Sequence, residues 1–239
     1  MNLLAIDTAT DALSLALQQG EEIRAVHKLI PRRHHQEIFR VLDELLNGEA
    51  LGAVDLNAVV FGAGPGSFTG LRIAASMAQG LGYSLGVPLI PVSSLLTQAL
   101  TAVRHAKLDV PCVVLSAIDA RIQQVYAQAF LVEGSCATPL TEATIASAAE
   151  LLPVHIDGAY QNHPKLGVGS GFAFLEEMPA AWRRLDQCFP QVLPEAQDML
   201  AIARQRFADG DVLDPAQASP DYVQQRIGWK TLAEQGRKA

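Results

Sequence analysis

Two aspartates stand where strands can deliver them to chemistry. Asp7 closes the apolar run Leu3-Leu4-Ala5-Ile6, and Asp119 closes Val113-Val114-Leu115-Ser116-Ala117-Ile118. Both end the same tripeptide, Ala-Ile-Asp. Carboxylates held at strand ends can coordinate Mg²⁺ through water and so place the phosphates of a nucleotide. A strand-end Asp can equally cap its own turn, here with Thr8 or Arg121. The loudest local motif is Gly62-Ala63-Gly64-Pro65-Gly66-Ser67-Phe68-Thr69-Gly70. Between a strand and a helix, its backbone N–H groups and the helix dipole suit an anion. It departs from both phosphate-binding fingerprints, because no Lys follows at the Walker spacing and the third glycine arrives one residue late, at Gly70 instead of Thr69. The plain alternative is a tight turn whose helix is capped by Ser67 or Thr69.

Other chemistries find less support. His34 and His35 are adjacent, so they point to different faces of a helix, and His155 and His163 are eight apart. No HExxH or HxxxH spacing occurs, and no metal site is expected. Ser67, Ser93 and Ser94 lack the setting of an activated nucleophile, so no catalytic residue is assigned. Cys112, Cys136 and Cys188 form no CxxC pair and read as reduced thiols. The formal net charge is -7, with basic residues scattered apart from Arg32-Arg33 and Arg183-Arg184. Phosphate neutralisation supplies most nucleic-acid affinity, so direct, strong nucleic-acid binding by this chain alone is not expected.

The elements that must position these residues follow from hydrophobic periodicity. Leu3–Ile6, Ala12–Gln18 and Ile23–His27 read as three antiparallel strands, with Gly20 at a turn. Ile38, Val41, Leu42 and Leu45 recur at helical spacing over 35–46, and Asn47-Gly48 stops that helix. Strand 58–61, a helix from about Ser67 to 82–86, strand 87–90 and helix 93–104 follow. The most apolar stretch, 71–90, contains Arg72, Gln79, several glycines and Pro88, and so reads as helix, break and strand, not a membrane span. An N-terminus without a basic start predicts no signal peptide and a cytoplasmic protein.

The pattern then restarts at Val113, with an alternating strand at Ile122–Phe130. Its helices are weaker, the best being Pro194–Phe207 with Met199, Leu200, Ala203 and Phe207 on one face. Residues 132–190 resist assignment. Two copies of a three-strand unit, each led by a strand ending in Asp, predict an α/β, two-domain, duplicated actin/hexokinase-like fold (ribonuclease H-like units) with an abbreviated second domain. The expected divisions are 1–106, 107–214 and a C-terminal segment 215–239 that packs back on the first domain. In such a layout Asp7 and Asp119 face each other across a cleft. Gly167-Val168-Gly169-Ser170-Gly171 lies where actin-like ATPases hold adenosine, although a strand-ending turn explains it as well.

One helix carries Gly70, Ala74, Ala78 and Gly82 four residues apart, a row that lets another helix approach closely. Ile73, Met77 and Leu81 flank it. With helix 35–46 it can form half of a four-helix contact with another protein, or both helices can pack only on their own sheet.

The strings Ala5-Ile6-Asp7-Thr8-Ala9-Thr10, Gly64-Pro65-Gly66-Ser67-Phe68-Thr69-Gly70-Leu71-Arg72-Ile73, Ala78-Gln79-Gly80-Leu81 and Ile118-Asp119-Ala120-Arg121 resemble the TsaB (YeaZ) family. Pro220-Asp221-Tyr222 through Arg226 to Trp229-Lys230 is similar to that family's ending. The resemblance implies a non-catalytic pseudoenzyme subunit that pairs with its paralogue TsaD, and with the ATPase TsaE, for threonylcarbamoyl transfer to N6 of adenosine 37 in tRNAs reading ANN codons. It implies a homodimer in isolation through the same surface, tRNA reached only through the complex, and no cofactor of its own, with nucleotide at the complex interface left open. Carried over, the partner interface is His35, Ile38, Leu42 and Leu45 with Ile73, Ala74, Met77, Ala78 and Leu81. Asp7, Thr8, Asp119 and Arg121 become a vestigial nucleotide cleft. A bulky residue at Ala74 or Ala78 is then expected to break pairing without unfolding the monomer. The alternative is an actin-like ATPase or small-molecule kinase using Asp7 and Asp119 with Mg²⁺. A peptidase gains no support.

Overall fold

The computed structural model describes residues 1–151 and 160–223. Its first sheet holds β1 (Asn2–Asp7), β2 (Ala12–Gln19), β3 (Glu22–Leu29), β4 (Ala58–Gly64) and β5 (Leu89–Ser93), in the order β3-β2-β1-β4-β5. β1 pairs antiparallel with β2 and parallel with β4. The second sheet repeats the plan. β6 (Cys112–Arg121), β7 (Gln124–Glu133) and β8 (Cys136–Pro139) form its antiparallel lead, with β9 (Thr144–Ser147) also on β7, and β10 (Lys165–Val168) and β11 (Gln187–Phe189) add in parallel. With β9 set aside as an addition to β7, the second sheet runs β8-β7-β6-β10-β11, matching β3-β2-β1-β4-β5 of the first, the duplicated actin/hexokinase-like arrangement expected from the repeated Ala-Ile-Asp strands.

Alternation along the strands decides what covers each face. Leu4, Ile6, Leu13, Leu15, Leu17, Val59 and Phe61 point to one side of the first sheet, where α1 (His34–Leu46) and α2 (Phe68–Leu85) cover them. Leu3, Ala5, Ala16, Val60 and Ile90 point to the other side and meet Ala196, Met199, Leu200 and Ala203. The last three belong to α5 (Met199–Ala208). α5 therefore packs on the first sheet, although its sequence position lies within the expected second unit. The reverse holds for α3 (Ser94–Ala106), whose Leu95, Ala99 and Val103 join Val114, Phe130 and Leu166 of the second sheet. On that sheet's far face, short 3₁₀ turns and the four-residue α4 (Ala180–Arg183) stand in for long helices and supply Phe172, Met178 and Trp182.

The exchanged helices are fastened together. Arg104 at the end of α3 reaches Glu195 at 2.5 Å and Asp198 at 2.8 Å, and the Thr101 hydroxyl donates to Asp198 at 2.7 Å. The Arg104 bonds are charge-assisted and exposed, the Thr101 bond part-buried, and together they fix orientation as well as adding energy. Beyond α5, Leu213 and Leu89 exchange backbone hydrogen bonds of 2.9 and 2.8 Å. Ala218 enters the first core, Gln79 donates to its carbonyl at 2.9 Å, and the Asp221 N–H donates to Ala63 at 2.7 Å. Residues 213–222 thus run along α2. Arg226, Trp229 and Lys230 lie outside the described residues, as does His155.

The small-residue row of α2 faces inward. Ala74 and Ala78 are fully buried in the first core, and a Cβ added at Gly70 would stand 1.9 Å from the Thr8 carbonyl oxygen. At Gly82 it would meet Leu89 at 2.8 Å and Pro215 at 2.9 Å. The close approach that the row permits is to the chain's own sheet and C-terminal strap, so Ala74 and Ala78 are not surface contacts. The expectation for bulky variants changes accordingly. Ala74→Leu should lower the monomer's own stability by about 1–3 kcal/mol through overpacking. Chemical denaturation of the monomer measures this loss.

Candidate functional site: a cleft rim and a helix pair

A cleft of about 1390 Å³ opens between the β1–β2 turn, the first turns of α1 and α2, and the β6–β7 hairpin. Small-molecule sites commonly span about 300–1,000 Å³, so this space exceeds a single snug ligand. Asp119 and Arg121 line it, with Asp11, Arg32, His35, Phe68, Thr69, Ile73 and Tyr222. The Asp119 carboxylate accepts the Arg121 N–H at 2.8 Å, and the Asp119 N–H donates to the Ser170 hydroxyl at 3.0 Å.

Asp7 is not among the lining residues. Its side chain is buried beneath the β1–β2 turn, where Oδ1 accepts the Ala9 N–H at 3.0 Å and Oδ2 has no hydrogen-bond partner. That oxygen presses on Gly62, at which an added Cβ would lie 2.1 Å away. Burial lifts the Asp7 pKa from 3.8 to about 7, opposed by the Ala9 N–H and by the nearby Ser94 hydroxyl. Ser94 Oγ is itself buried without a well-formed hydrogen bond, so it acts on Asp7 by proximity. Thr8 is likewise internal, its hydroxyl donating to the Gly70 carbonyl at 2.6 Å. The structure therefore brings Asp119 and Arg121 to the cleft and keeps Asp7 and Thr8 beneath it.

The glycine-rich segments serve the same internal economy of space. A Cβ at Gly64 would stand 2.7 Å from the Asp221 carbonyl oxygen, and one at Gly66 would stand 2.5 Å from that of Ala9. Ser67 caps α2 by accepting the Gly70 N–H at 3.3 Å. Gly169 and Gly171 press on Ala117, and Gly169 also on Gln98. The second glycine run thus makes room for the chain itself.

The helix pair divides cleanly. Ile38, Leu42 and Leu45 lie in the first core at 5 % exposure or less, so these three cannot meet a partner directly. The helical stripe that identified them is the stripe that holds α1 to its sheet. His34 is buried and His35 exposed, as adjacency on a helix requires. The outer surface is instead made by His35 and Phe39 on α1, the latter 65 % exposed, with half-buried Ile73, Met77 and Leu81 on α2. Tyr83 is 64 % exposed at the end of α2. At its start Arg72 stacks over the Phe68 ring at 3.8 Å and donates to the Tyr222 hydroxyl at 3.2 Å. By periodicity Phe39 widens the apolar stripe of α1, yet its side chain turns outward, and Tyr83 closes the 69–83 stretch of α2 with its ring also exposed.

Among the described residues no helix is long and apolar enough to cross a membrane, and no group of three or more His, Cys, Asp or Glu could hold a metal ion. Two sheets with one strand plan, joined by exchanged helices around a cleft, define a duplicated α/β protein of the actin/hexokinase-like class. A family model described as TsaD, tRNA N6-adenosine threonylcarbamoyltransferase, matches residues 25–207. The tRNA threonylcarbamoyladenosine biosynthesis protein TsaB of Escherichia coli K12 is 34 % identical over 242 residues, covering 97 % of this chain and 98 % of that protein. Its namesake in Haemophilus influenzae is 31 % identical, covering 97 % of each. The crystal structure of YeaZ from Pseudomonas aeruginosa superposes with a TM-score of 0.80 at 33 % identity, over 92 % of this chain and 99 % of that one. The chain belongs to the TsaB (YeaZ) family.

Asp7 makes stability depend on pH. Its folded-state pKa lies above its unfolded value, so between about pH 4 and 7 the folded state holds the extra proton. Its stabilising contribution is complete below the unfolded value and is lost as pH rises through about 7. Asp7→Asn is expected to remove that slope, raising the thermal midpoint more at pH 8 than at pH 5. Melting curves of both proteins across that range test this, and parallel profiles would contradict it.

Proposed function

We propose that this chain is a non-catalytic subunit of the machinery that forms threonylcarbamoyladenosine in tRNA. In this reading it pairs with TsaD through the outer face of α1 and α2, and TsaE joins them. The transfer to N6 of adenosine 37 in ANN-reading tRNAs belongs to TsaD, and this chain works in the cytoplasm without a cofactor of its own. The observation that carries the reading is the outer surface of the helix pair, where Phe39 and Tyr83 stand exposed beside Ile73, Met77 and Leu81, which are half-buried against the first core. Apolar surface of this kind on an otherwise acidic protein is what a binding face requires. A second copy of the chain can take the same face when TsaD is absent.

The burial of Asp7 supports the non-catalytic half of the reading. A carboxyl that is fully buried and absent from the cavity's lining is poorly placed to hold Mg²⁺. A net charge of -7 supports tRNA being engaged through the complex. The ATPase or kinase alternative requires MgATP turnover by the purified chain that disappears in Asp7→Ala.

The direct assay reconstitutes threonylcarbamoyl transfer to tRNA with TsaD and TsaE from the same organism, with and without this chain. Product should depend on the chain, and equal product in its absence would overturn the reading. Phe39→Asp should weaken pairing with TsaD by about 10–100-fold in Kd, as loss of a central aromatic anchor does. Isothermal titration calorimetry reads this change.

A further inference from the structure

The turn joining β6 to β7 has a sequence that its backbone does not want. Arg121 pairs with Gln124 across the hairpin, leaving Ile122 and Gln123 as a two-residue loop. Arg121, Ile122 and Gln123 have φ of 68°, 52° and 58°. Loops of this shape favour Asn-Gly or Asp-Gly, because positive φ brings the Cβ of other residues against the backbone. A β-branched residue is the least suited of all. Each such residue costs on the order of 1–2 kcal/mol, and the conformation persists because its surroundings impose it. The Asp119 carboxylate accepts the Arg121 N–H at 2.8 Å, and the β6–β7 ladder clamps both sides.

Among the described residues no core contact of Ile122 offsets that cost. Ile122 is 85 % exposed, the highest value for a large apolar side chain among the described residues, and it joins none of the core clusters. Arg121 is three-quarters exposed and stands 3.9 Å from both Asp11 and Asp119, too far for a strong pair. A rigid tip that holds an isoleucine out into water at the expense of stability is the pattern of a preorganised contact.

Its position names the occupant. Arg121 lines the same cleft as His35, Phe68, Thr69 and Ile73, the residues at the starts of α1 and α2. A protein seated on the helix pair therefore meets the tip across the cleft mouth. We propose that Ile122 is a second anchor for the TsaD subunit, entering an apolar socket on it, while Arg121 pairs with a carboxylate at that socket's rim. This rests on the assignment of TsaD to the helix face.

Ile122→Asn tests the proposal, since Asn tolerates left-handed backbone better than any residue but glycine. The variant should melt at a higher temperature than the parent while binding TsaD at least tenfold more weakly by calorimetry. Unchanged affinity would overturn the proposal, and so would a lower melting temperature, which would mean that the side chain packs internally. Phe39→Asp, measured beside it, separates the two readings. Loss of binding in Phe39→Asp alone leaves the helix face standing and removes the tip. Loss in Ile122→Asn alone keeps the tip and removes the helix face, whereas a parent chain that binds no TsaD removes both.

Discussion

The end of β1 lies so close to the β4–α2 connection that only glycine fits there. Asp7 meets Gly62, the Ala9 carbonyl meets Gly66, and the Thr8 carbonyl meets Gly70. These three contacts seat α2 against the sheet, and so set which of its faces looks outward. They also draw the Asp7 carboxyl beneath the cavity, where burial keeps it protonated to about pH 7. The loss of a cleft carboxylate and the gain of a presented helix are thus two results of one packing decision. A segment that looks like a phosphate cradle owes its glycines to the neighbouring strand instead.

The exchange of α3 and α5 between the sheets gives the two halves a fixed relation. Each sheet buries one face under a helix supplied by the other half of the chain, and the bonds from Arg104 and Thr101 to Glu195 and Asp198 hold the crossing. Burial by itself raises the Glu195 pKa, yet hydrogen bonds from Gln197, Arg104 and His105, together with the Arg104 charge, hold it below its ordinary value. A cleft between halves so fastened has rims at set positions, which is the condition for two distant anchors to act on one partner.

Much of this was legible in the residues. The apolar run Leu3–Ile6, the alternation in Leu13–Leu17 and the repeated Ala-Ile-Asp point to a duplicated strand plan that the sheet orders display. The side on which the helices do their work was harder to read. Periodicity marks the face a helix buries, so it selected Ile38, Leu42, Leu45, Ala74 and Ala78, which the chain uses for itself. The outer surface of the same helices carries few apolar residues, Phe39 and Tyr83 among them, and lacks a period of its own. Chain order likewise assigned α3 and α5 to the halves they follow, since nothing local to a helix says which sheet it will cover. At the hairpin tip the sequence marks Arg121 beside Asp119, whereas Ile122 reads as an ordinary strand residue until its φ is known.

We propose that this protein acts through its outer helix face and not through Asp7, the aspartate buried beneath the cleft. The most direct test is one tRNA threonylcarbamoylation assay, with TsaD and TsaE held constant, comparing the parent chain with Asp7→Asn and Phe39→Asp at equal folded concentration. The account expects Asp7→Asn to support full product and Phe39→Asp to support little. Activity lost in Asp7→Asn and kept in Phe39→Asp would contradict it.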